Sequence, residues 1–339
     1  MNKIQEEDIR AFAESFALSE LLSGATFLIT GATGLIGSTL VHGLLALNQE
    51  IVITCPVRNM TKARMMYGHQ AGKIHFIECN LIDYLKMLDN ECGFQYIVHC
   101  ASPTAGIYMT ENPVETFELA FESTRLLLLY SRNAKVKGLV YVSSLEYYGQ
   151  NGSNDFITEK FQGYVEASSP RSSYPLGKRA AEYLCTAYAQ EYGVPAKIAR
   201  LTQTFGAGVA SNDNRVFAQF VRSIITNSDI VLHTTGESAK PYCYTTDCIS
   251  AILYILLKGQ NGEAYNVANE ETYITIKDMA DFLCENFNPN CNVVMQATPT
   301  MGYAPVTKLR LSTKKLKDLG WLPTYDLKTM FSRLIKSLS

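Results

Sequence analysis

The sequence of 339 residues lacks the features that mark several large classes of protein. Its nine cysteines form no CxxC pair and its five histidines show no metal-ligand spacing, so it predicts no metal. A net charge of −2 gives no reason to expect nucleic acid as a partner. No segment approaches the ~18 consecutive apolar residues of a membrane span, and residues 1–20 lack the apolar run of a signal peptide. We therefore expect a cytoplasmic protein with reduced cysteines and no membrane partner.

What the sequence does contain is a regular alternation of short apolar runs and helical stretches. Apolar runs predict six strands, at 25–30, 51–57, 74–78, 96–101, 139–143 and 196–202. The stretches 35–48 and 115–131 are the clearest of the helices between them. This alternation predicts an α/β fold built on a doubly wound parallel sheet of the Rossmann type.

The rhythm breaks after Gly206, which predicts a second, smaller domain. We expect a dinucleotide-binding domain over 1–203, with a helical extension at 1–22 packed on its outside. Residues 204–339 are then mainly a mixed substrate-binding domain, from which 240–260 return to the first domain.

A glycine-rich loop, GATGLIG at 31–37, follows the first predicted strand directly. Its first glycine permits a sharp turn, the second lets a pyrophosphate approach the backbone, and the third lets the next helix pack close to the sheet. The helix N-terminus then offers N–H groups to the phosphates. We predict that a dinucleotide contacts Gly31, Thr33, Gly34, Leu35, Ile36 and Gly37.

The end of the second predicted strand bears on which dinucleotide is bound. The stretch IVITCPVRNM at 51–60 has no acid for the ribose of NAD, but it contains Arg58, and Lys62 and Arg64 follow. This pattern favours NADP, with Arg58 against its extra phosphate. NAD is the alternative, in which case Arg58 is a solvated loop charge.

A tyrosine and a lysine stand four residues apart in SYPLGK, at Tyr174 and Lys178. On a helix they share one face, with Ser172 or Ser173 as the expected cap. An ammonium near a phenol favours the phenolate, which makes the tyrosine a better base near neutral pH. The second copy of the spacing, Tyr273 and Lys277, lies in an alternating β-branched stretch and is interpreted as structural.

Together these motifs resemble the extended short-chain dehydrogenase/reductase family of nucleotide-sugar enzymes. Further matching motifs are HCASP at 99–103, YVSSLEYYG at 141–149, RLTQTFG at 200–206, YTTD at 244–247, YNVAN at 265–269 and LGWLP at 319–323. The resemblance implies a catalytic set of Ser144, Tyr174 and Lys178. It also implies cofactor contacts from Asn80, Leu81, Ala101 and Ser102, and substrate contacts from Ser102, Gln203, Arg215, Lys240 and Arg310.

By its motifs the chain is most similar to the UDP-glucuronate decarboxylases of that family. Leu145 stands where the dehydratases have an Asp, which leaves Glu146 as a lone carboxyl and a fourth candidate catalytic residue. We predict an enzyme that oxidises C4 of a nucleotide-diphosphate sugar and then epimerises, dehydrates or decarboxylates it. The alternatives are an NADPH-dependent keto-sugar reductase and a non-catalytic dinucleotide sensor. The apolar LLLLYS within 115–131 predicts a homodimer.

Overall fold

The computed structural model describes residues 1–103, 105–296 and 306–339. The strands are β1 Thr26–Thr30, β2 Val52–Val57, β3 Ile74–Glu78, β4 Tyr96–His99, β5 Gly138–Ser144, β6 Phe156–Ile157, β7 Ala196–Leu201, β8 Gln203–Phe205, β9 Ile230–Leu232, β10 Ala239–Tyr244, β11 Ala264–Val267, β12 Asn269–Thr275, β13 Val293–Met295 and β14 Arg310–Leu311. The helices are α1 Lys3–Ser15, α2 Leu35–Ala46, α3 Met60–Tyr67, α4 Leu81–Lys86, α5 Gly106–Glu111, α6 Pro113–Ala134, α7 Ser173–Tyr192, α8 Val216–Ile225, α9 Thr245–Lys258, α10 Ile276–Phe287, α11 Lys314–Lys317 and α12 Leu327–Leu338.

A parallel sheet in the order β11-β7-β5-β4-β1-β2-β3 forms the centre of the molecule. This confirms the predicted doubly wound α/β fold, and each of the six predicted strands lies within two residues of its predicted ends. The seventh strand, β11, comes from 264–267, beyond the predicted return at 240–260. Because all seven strands are parallel, their carboxyl ends meet at one edge, where such folds bind ligands.

The two faces of the sheet are covered by separate apolar clusters. On one face α2 and α9 pack over β1 and β7, and Trp321 joins them. On the other face α6 and α7 pack over β4 and β5. Leu126, Leu127, Leu128 and Tyr130 of the LLLLYS segment belong to this second cluster and are buried. The run is therefore explained by packing on the sheet, so it gives no support to the predicted homodimer.

The C-terminal part surrounds a smaller mixed sheet in the order β12-β10-β8, with α8, α10 and α12 forming its core. Helix α1 contacts α2 and α9 as well as α12, so it touches both parts of the chain. Its buried Asp8 accepts hydrogen bonds from the hydroxyl of Tyr244, at 2.6 Å, and from Arg333. Within the described ranges, no helix has the combined length and apolarity needed to span a membrane.

Candidate active site

The turn between β1 and α2 requires glycine for two physical reasons. Gly31 has φ +72°, a backbone conformation that side chains disfavour, and a Cβ there would lie 2.7 Å from the backbone nitrogen of Ala101. A Cβ on Gly37 would collide with the carbonyl oxygen of Gly31. Tyr67 of α3 donates its hydroxyl to the carbonyl of Ala32 at 2.6 Å and so braces the loop. Nothing in the sequence indicated this role for Tyr67.

The N-terminus of α2 is arranged to receive an anion. Gly34 is its N-cap, and within the described chain no side chain caps it. The amides of Leu35 and Ile36 in the first turn thus have no partner inside the helix. Thr33 is half-buried beside them. This backbone cradle fits the diphosphate of a dinucleotide.

The residues predicted for the adenosine end lie at the ends of β2 and β3. Arg58 directly follows β2 and is exposed, and it makes no ion pair with the described residues. Asn80 caps α4 instead of being free, because its side-chain oxygen accepts the amide of Ile82 at 3.0 Å. Leu81 is the first residue of that helix. Arg58 is therefore the charged group with freedom to meet a ligand here.

Ser144, Tyr174 and Lys178 come together where β5 ends and α7 begins. The ammonium of Lys178 lies 5.4 Å from the ring centroid of Tyr174 and donates to the carbonyl of Val142 at 2.8 Å. Burial lowers the pKa of Lys178 to about 8. The expected cap is not present, since Ser172 is the N-cap but its side chain does not bond to the helix.

The surroundings of Tyr174 differ from the expectation. Burial raises the pKa of its phenol above the ordinary value, and the charge of Glu146 raises it further. The nearby hydroxyls of Ser144 and Ser102 lower it, whereas Lys178 is not among the groups that shift it. Burial thus dominates the pKa of the phenol in this arrangement, and the joint effect of the ammonium and a cationic nicotinamide ring on the phenolate stays a prediction.

Ser102 and His99 lie close to the catalytic cluster. Ala101 donates its N–H to the hydroxyl of Thr30 at 3.2 Å, which fixes the loop after β4. The hydroxyl of Ser102 is buried beside the phenol of Tyr174, whose pKa it lowers, so Ser102 belongs to the same cluster. Burial lowers the pKa of His99 to about 3, so His99 is neutral and its ring bonds to Thr30 and Ser123.

Glu146 lies near the cluster but not on the strand. Strand β5 ends at Ser144, and Glu146 is exposed on a short 3-10 helix, Leu145–Tyr148. The sequence places Glu146 two residues after Ser144, and a continued strand would put both residues on one face, but the 3-10 helix rules this out. The hydroxyl of Ser144 accepts the amide of Glu146 at 3.2 Å. Burial lowers the pKa of Lys240, as it does that of Lys178, and the charge of Glu146 opposes both shifts.

The predicted substrate residues fall into two groups. Lys240 on β10 and Gln203 on β8 are half-buried in the small mixed sheet, and Lys240 is close enough to Glu146 to feel its charge. Arg215 instead pairs with Asp213 at 2.6 Å, so its charge is already compensated. Arg310 is exposed and its guanidinium carbon lies 4.3 Å from the ring centroid of Phe156.

The second tyrosine–lysine pair is not a unit. Tyr273 lies on β12 and donates to Asn154 at 2.6 Å. Lys277 lies on α10 and pairs with Asp281 at 2.7 Å. The strand ends between the two residues, so each has its own structural partner.

The sequence of this chain is similar to a known protein family and to individual members of it. The model of the NAD dependent epimerase/dehydratase family matches residues 27–268. UDP-glucuronic acid decarboxylase 2 of Arabidopsis thaliana is 24% identical over 313 residues, which cover 92% of this chain and 68% of that protein.

Two solved structures show the same fold. The UDP-glucose 4-epimerase of Thermotoga maritima has a TM-score of 0.79 and 21% identity, covering 92% of this chain and 98% of that one. The dTDP-glucose 4,6-dehydratase of Bacillus anthracis, in complex with NAD, has a TM-score of 0.76 and 20% identity, covering 92% and 96%. Structural likeness at such identities establishes the fold alone, but the family model spans well over half of the chain. This protein therefore belongs to the NAD-dependent epimerase/dehydratase family, whose members act on nucleotide sugars.

Proposed function

We propose that the protein oxidises C4 of a nucleoside-diphosphate sugar, and that its net reaction is the decarboxylation of UDP-glucuronic acid. The observation that carries the proposal is the convergence of Ser144, Tyr174 and Lys178 beside the buried hydroxyl of Ser102. The resemblance to UDP-glucuronic acid decarboxylases supports the choice of substrate.

Each residue of the cluster has a distinct role in this proposal. Tyr174 accepts the proton of the sugar hydroxyl, and Ser144 and Ser102 bond to the same oxygen or to the phenol. Lys178 is held by Val142 and supplies an ammonium to the site. Oxidised nicotinamide supplies the hydride acceptor and a positive charge that favours the phenolate.

Two observations favour decarboxylation over dehydration. Leu145 is buried in an apolar cluster, so the second carboxyl of a dehydratase is missing at that position. Lys240 places a cation in the cleft beside Glu146, where it can attract an anionic sugar. Oxidation at C4 creates a ketone β to the carboxylate, and such a β-keto acid loses CO2 readily.

For the cofactor we propose NADP, held at its extra phosphate by Arg58. This arginine follows β2 where an acid would bind the ribose of NAD, and it is exposed and unpaired within the described chain. An open cavity of about 520 Å³ beside it is lined by Asn59, Thr61 and Lys62, among others. Lys62 adds a second cation on the same side.

The proposed reaction can be tested with purified protein, UDP-glucuronic acid and either nicotinamide cofactor. We expect release of CO2 and formation of a UDP-pentose, and NMR detects the product. Inversion at C4 without loss of CO2 would replace decarboxylation with epimerisation. Consumption of one equivalent of NADPH by a keto-sugar would identify a reductase. No turnover of any nucleotide sugar, with cofactor bound, would leave a dinucleotide sensor.

Tyr174→Phe is the matched catalytic variant. It removes one oxygen, so the fold and cofactor binding should be nearly unchanged, while turnover should fall by ~10²-fold or more. Turnover and cofactor affinity are measured on the same preparation. A variant that turns over near the wild-type rate would remove Tyr174 from acid/base chemistry.

A further inference from the structure

A second cavity, of about 750 Å³, lies away from the catalytic cleft. It opens on the α7 face of the sheet over β7 and the edge strand β11. Its walls include Glu159, Lys160, Arg179, Tyr183, Arg200 and Lys315. The catalytic cleft is at the carboxyl ends of the strands. This cavity instead lies along the face of the sheet, between α7 and the segment that follows β6.

The charges in this cavity are not balanced. Arg200 pairs with Glu182 at 2.6 Å, and Lys315 pairs with Glu263 at 2.5 Å. Arg179 makes no ion pair with the described residues.

Arg179 is held in place by the main chain. It donates to the carbonyls of Tyr147, at 2.8 Å, and Gly163, at 2.7 Å. Lys160 is exposed at the rim and is also without an ion pair in the described chain. Glu159 is the remaining acid, and its carboxylate accepts the amide of Asn266 at 2.9 Å. The unpaired side chains therefore leave a net positive charge on the walls.

Burial and geometry make Arg179 a suitable anion ligand. Its guanidinium is partly buried, and burial and the charge of Arg200 lower its pKa, whereas Tyr147 and Glu182 raise it. Two carbonyls hold one edge of the guanidinium in a fixed orientation, so little side-chain entropy is lost on binding. Tyr183 is 71% exposed at the same wall and offers an aromatic surface to an organic group.

We propose that this cavity is a second ligand site, which binds the phosphate group of a small phosphate monoester through Arg179 and Lys160. Phosphate suits these residues because a planar guanidinium and an ammonium together donate several charge-assisted hydrogen bonds. The proposal does not depend on the reaction proposed above.

The cavity is also connected to the catalytic strand. Glu182 in its wall accepts a hydrogen bond from Ser143 at 2.5 Å, and Ser143 precedes Ser144 on β5. The carbonyl of Tyr147 that holds Arg179 belongs to the short helix that carries Glu146. Arg179 also directly follows the catalytic Lys178 on α7, so an anion bound there lies next to the catalytic cluster along the chain.

Calorimetric titration with ribose 5-phosphate and with inorganic phosphate tests the proposal. Wild-type protein should bind ribose 5-phosphate at one saturable site of this cavity. Lys160→Gln and Arg179→Lys should each weaken that binding by about tenfold, the value of one charge-assisted hydrogen bond. Lys137→Gln, an exposed lysine outside the cavity, is the charge-matched control and should bind as wild type does. Tighter binding of ribose 5-phosphate than of inorganic phosphate would show that the organic part contributes.

The double variant Arg58→Ala, Lys240→Gln separates the cavity from the cleft. It should retain the cavity site, since both residues belong to the cleft. If this double variant loses saturable binding while the cavity variants keep it, the proposal is overturned. The absence of any saturable binding to wild-type protein would overturn it as well. Equal weakening by Lys137→Gln would show only general surface charge and would also overturn it. Lys160 is exposed, so its variant decides the matter even if Arg179→Lys is unstable.

Discussion

Single residues in the cleft respond very differently to their surroundings. Lys178 is buried, which lowers its pKa to about 8, whereas Glu146 stands in solvent only a few residues from the same cluster. The exposed carboxylate acts on the buried groups through its charge and raises the pKa of Tyr174. Substitution at Glu146 therefore changes the electrostatics of the phenol as well as any acid/base step.

Glu146→Gln should allow hydride transfer from C4 and block the loss of CO2 that follows it, so that reduced cofactor accumulates during turnover. Loss of the negative charge should also lower the pKa of Tyr174, which moves the acidic limb of the pH–rate profile to lower pH. Stopped-flow nicotinamide absorbance and a pH profile provide the two measurements. Glu14→Gln, an exposed glutamate on α1, is the control. Normal turnover with an unshifted profile would make Glu146 structural.

Arg58→Ala should weaken the binding of NADPH by about tenfold or more and leave the binding of NADH nearly unchanged, because only NADPH carries the extra phosphate. Isothermal titration with both cofactors measures the difference. Arg64→Ala removes another exposed arginine, from the neighbouring α3, and should change the difference in affinity between NADPH and NADH less. If both cofactors weaken equally, or neither does, Arg58 is a solvated charge and the proposal for NADP fails.

At the scale of elements, the turn from β1 into α2 depends on backbone geometry that only glycine satisfies. Gly31→Ala should destabilise the fold by about 1–2 kcal/mol from its positive φ, with a further cost because the new Cβ meets the loop after β4 at Ala101. Gly72→Ala is the matched control, since a Cβ there would have no atom within 4 Å. Thermal unfolding of both variants measures the difference. Equal stability of the two would contradict the argument.

At the scale of the whole molecule, the surface of α6 offers apolar side chains that the fold leaves exposed. Val114 is 68% exposed and Phe117 is 36% exposed. Phe117 stacks on Phe121, with the two ring centroids 6.0 Å apart. These residues, not the buried LLLLYS segment, now motivate the proposal of a homodimer.

Light scattering should give twice the chain mass of 37.7 kDa at micromolar concentration. The double substitution Val114→Glu, Phe117→Glu should give the mass of a single chain, because burying two carboxylates in an apolar interface is costly. Met65→Glu, at a residue 78% exposed on α3, should leave the assembly unchanged. A wild-type monomer at high concentration would reject the homodimer.

The sequence by itself determined the elements whose signals are local. Apolar runs gave the six strands, because each strand buries its own short segment within the sheet. The loop at 31–37 could be identified because its glycines are required within a few residues of one another. The shared face of Tyr174 and Lys178 followed from helical periodicity alone.

Only the tertiary structure decided features that depend on residues distant in sequence. β11 is a strand of the central sheet because it pairs with β7, about sixty residues earlier in the chain. The charge of Arg200 is compensated by Glu182, 18 residues earlier, through side-chain geometry that no periodicity encodes. The cavity beside Arg179 exists because segments that lie far apart in the sequence enclose it. Such long-range contacts follow from the packing of the whole chain, and for this reason the local pattern did not reveal them.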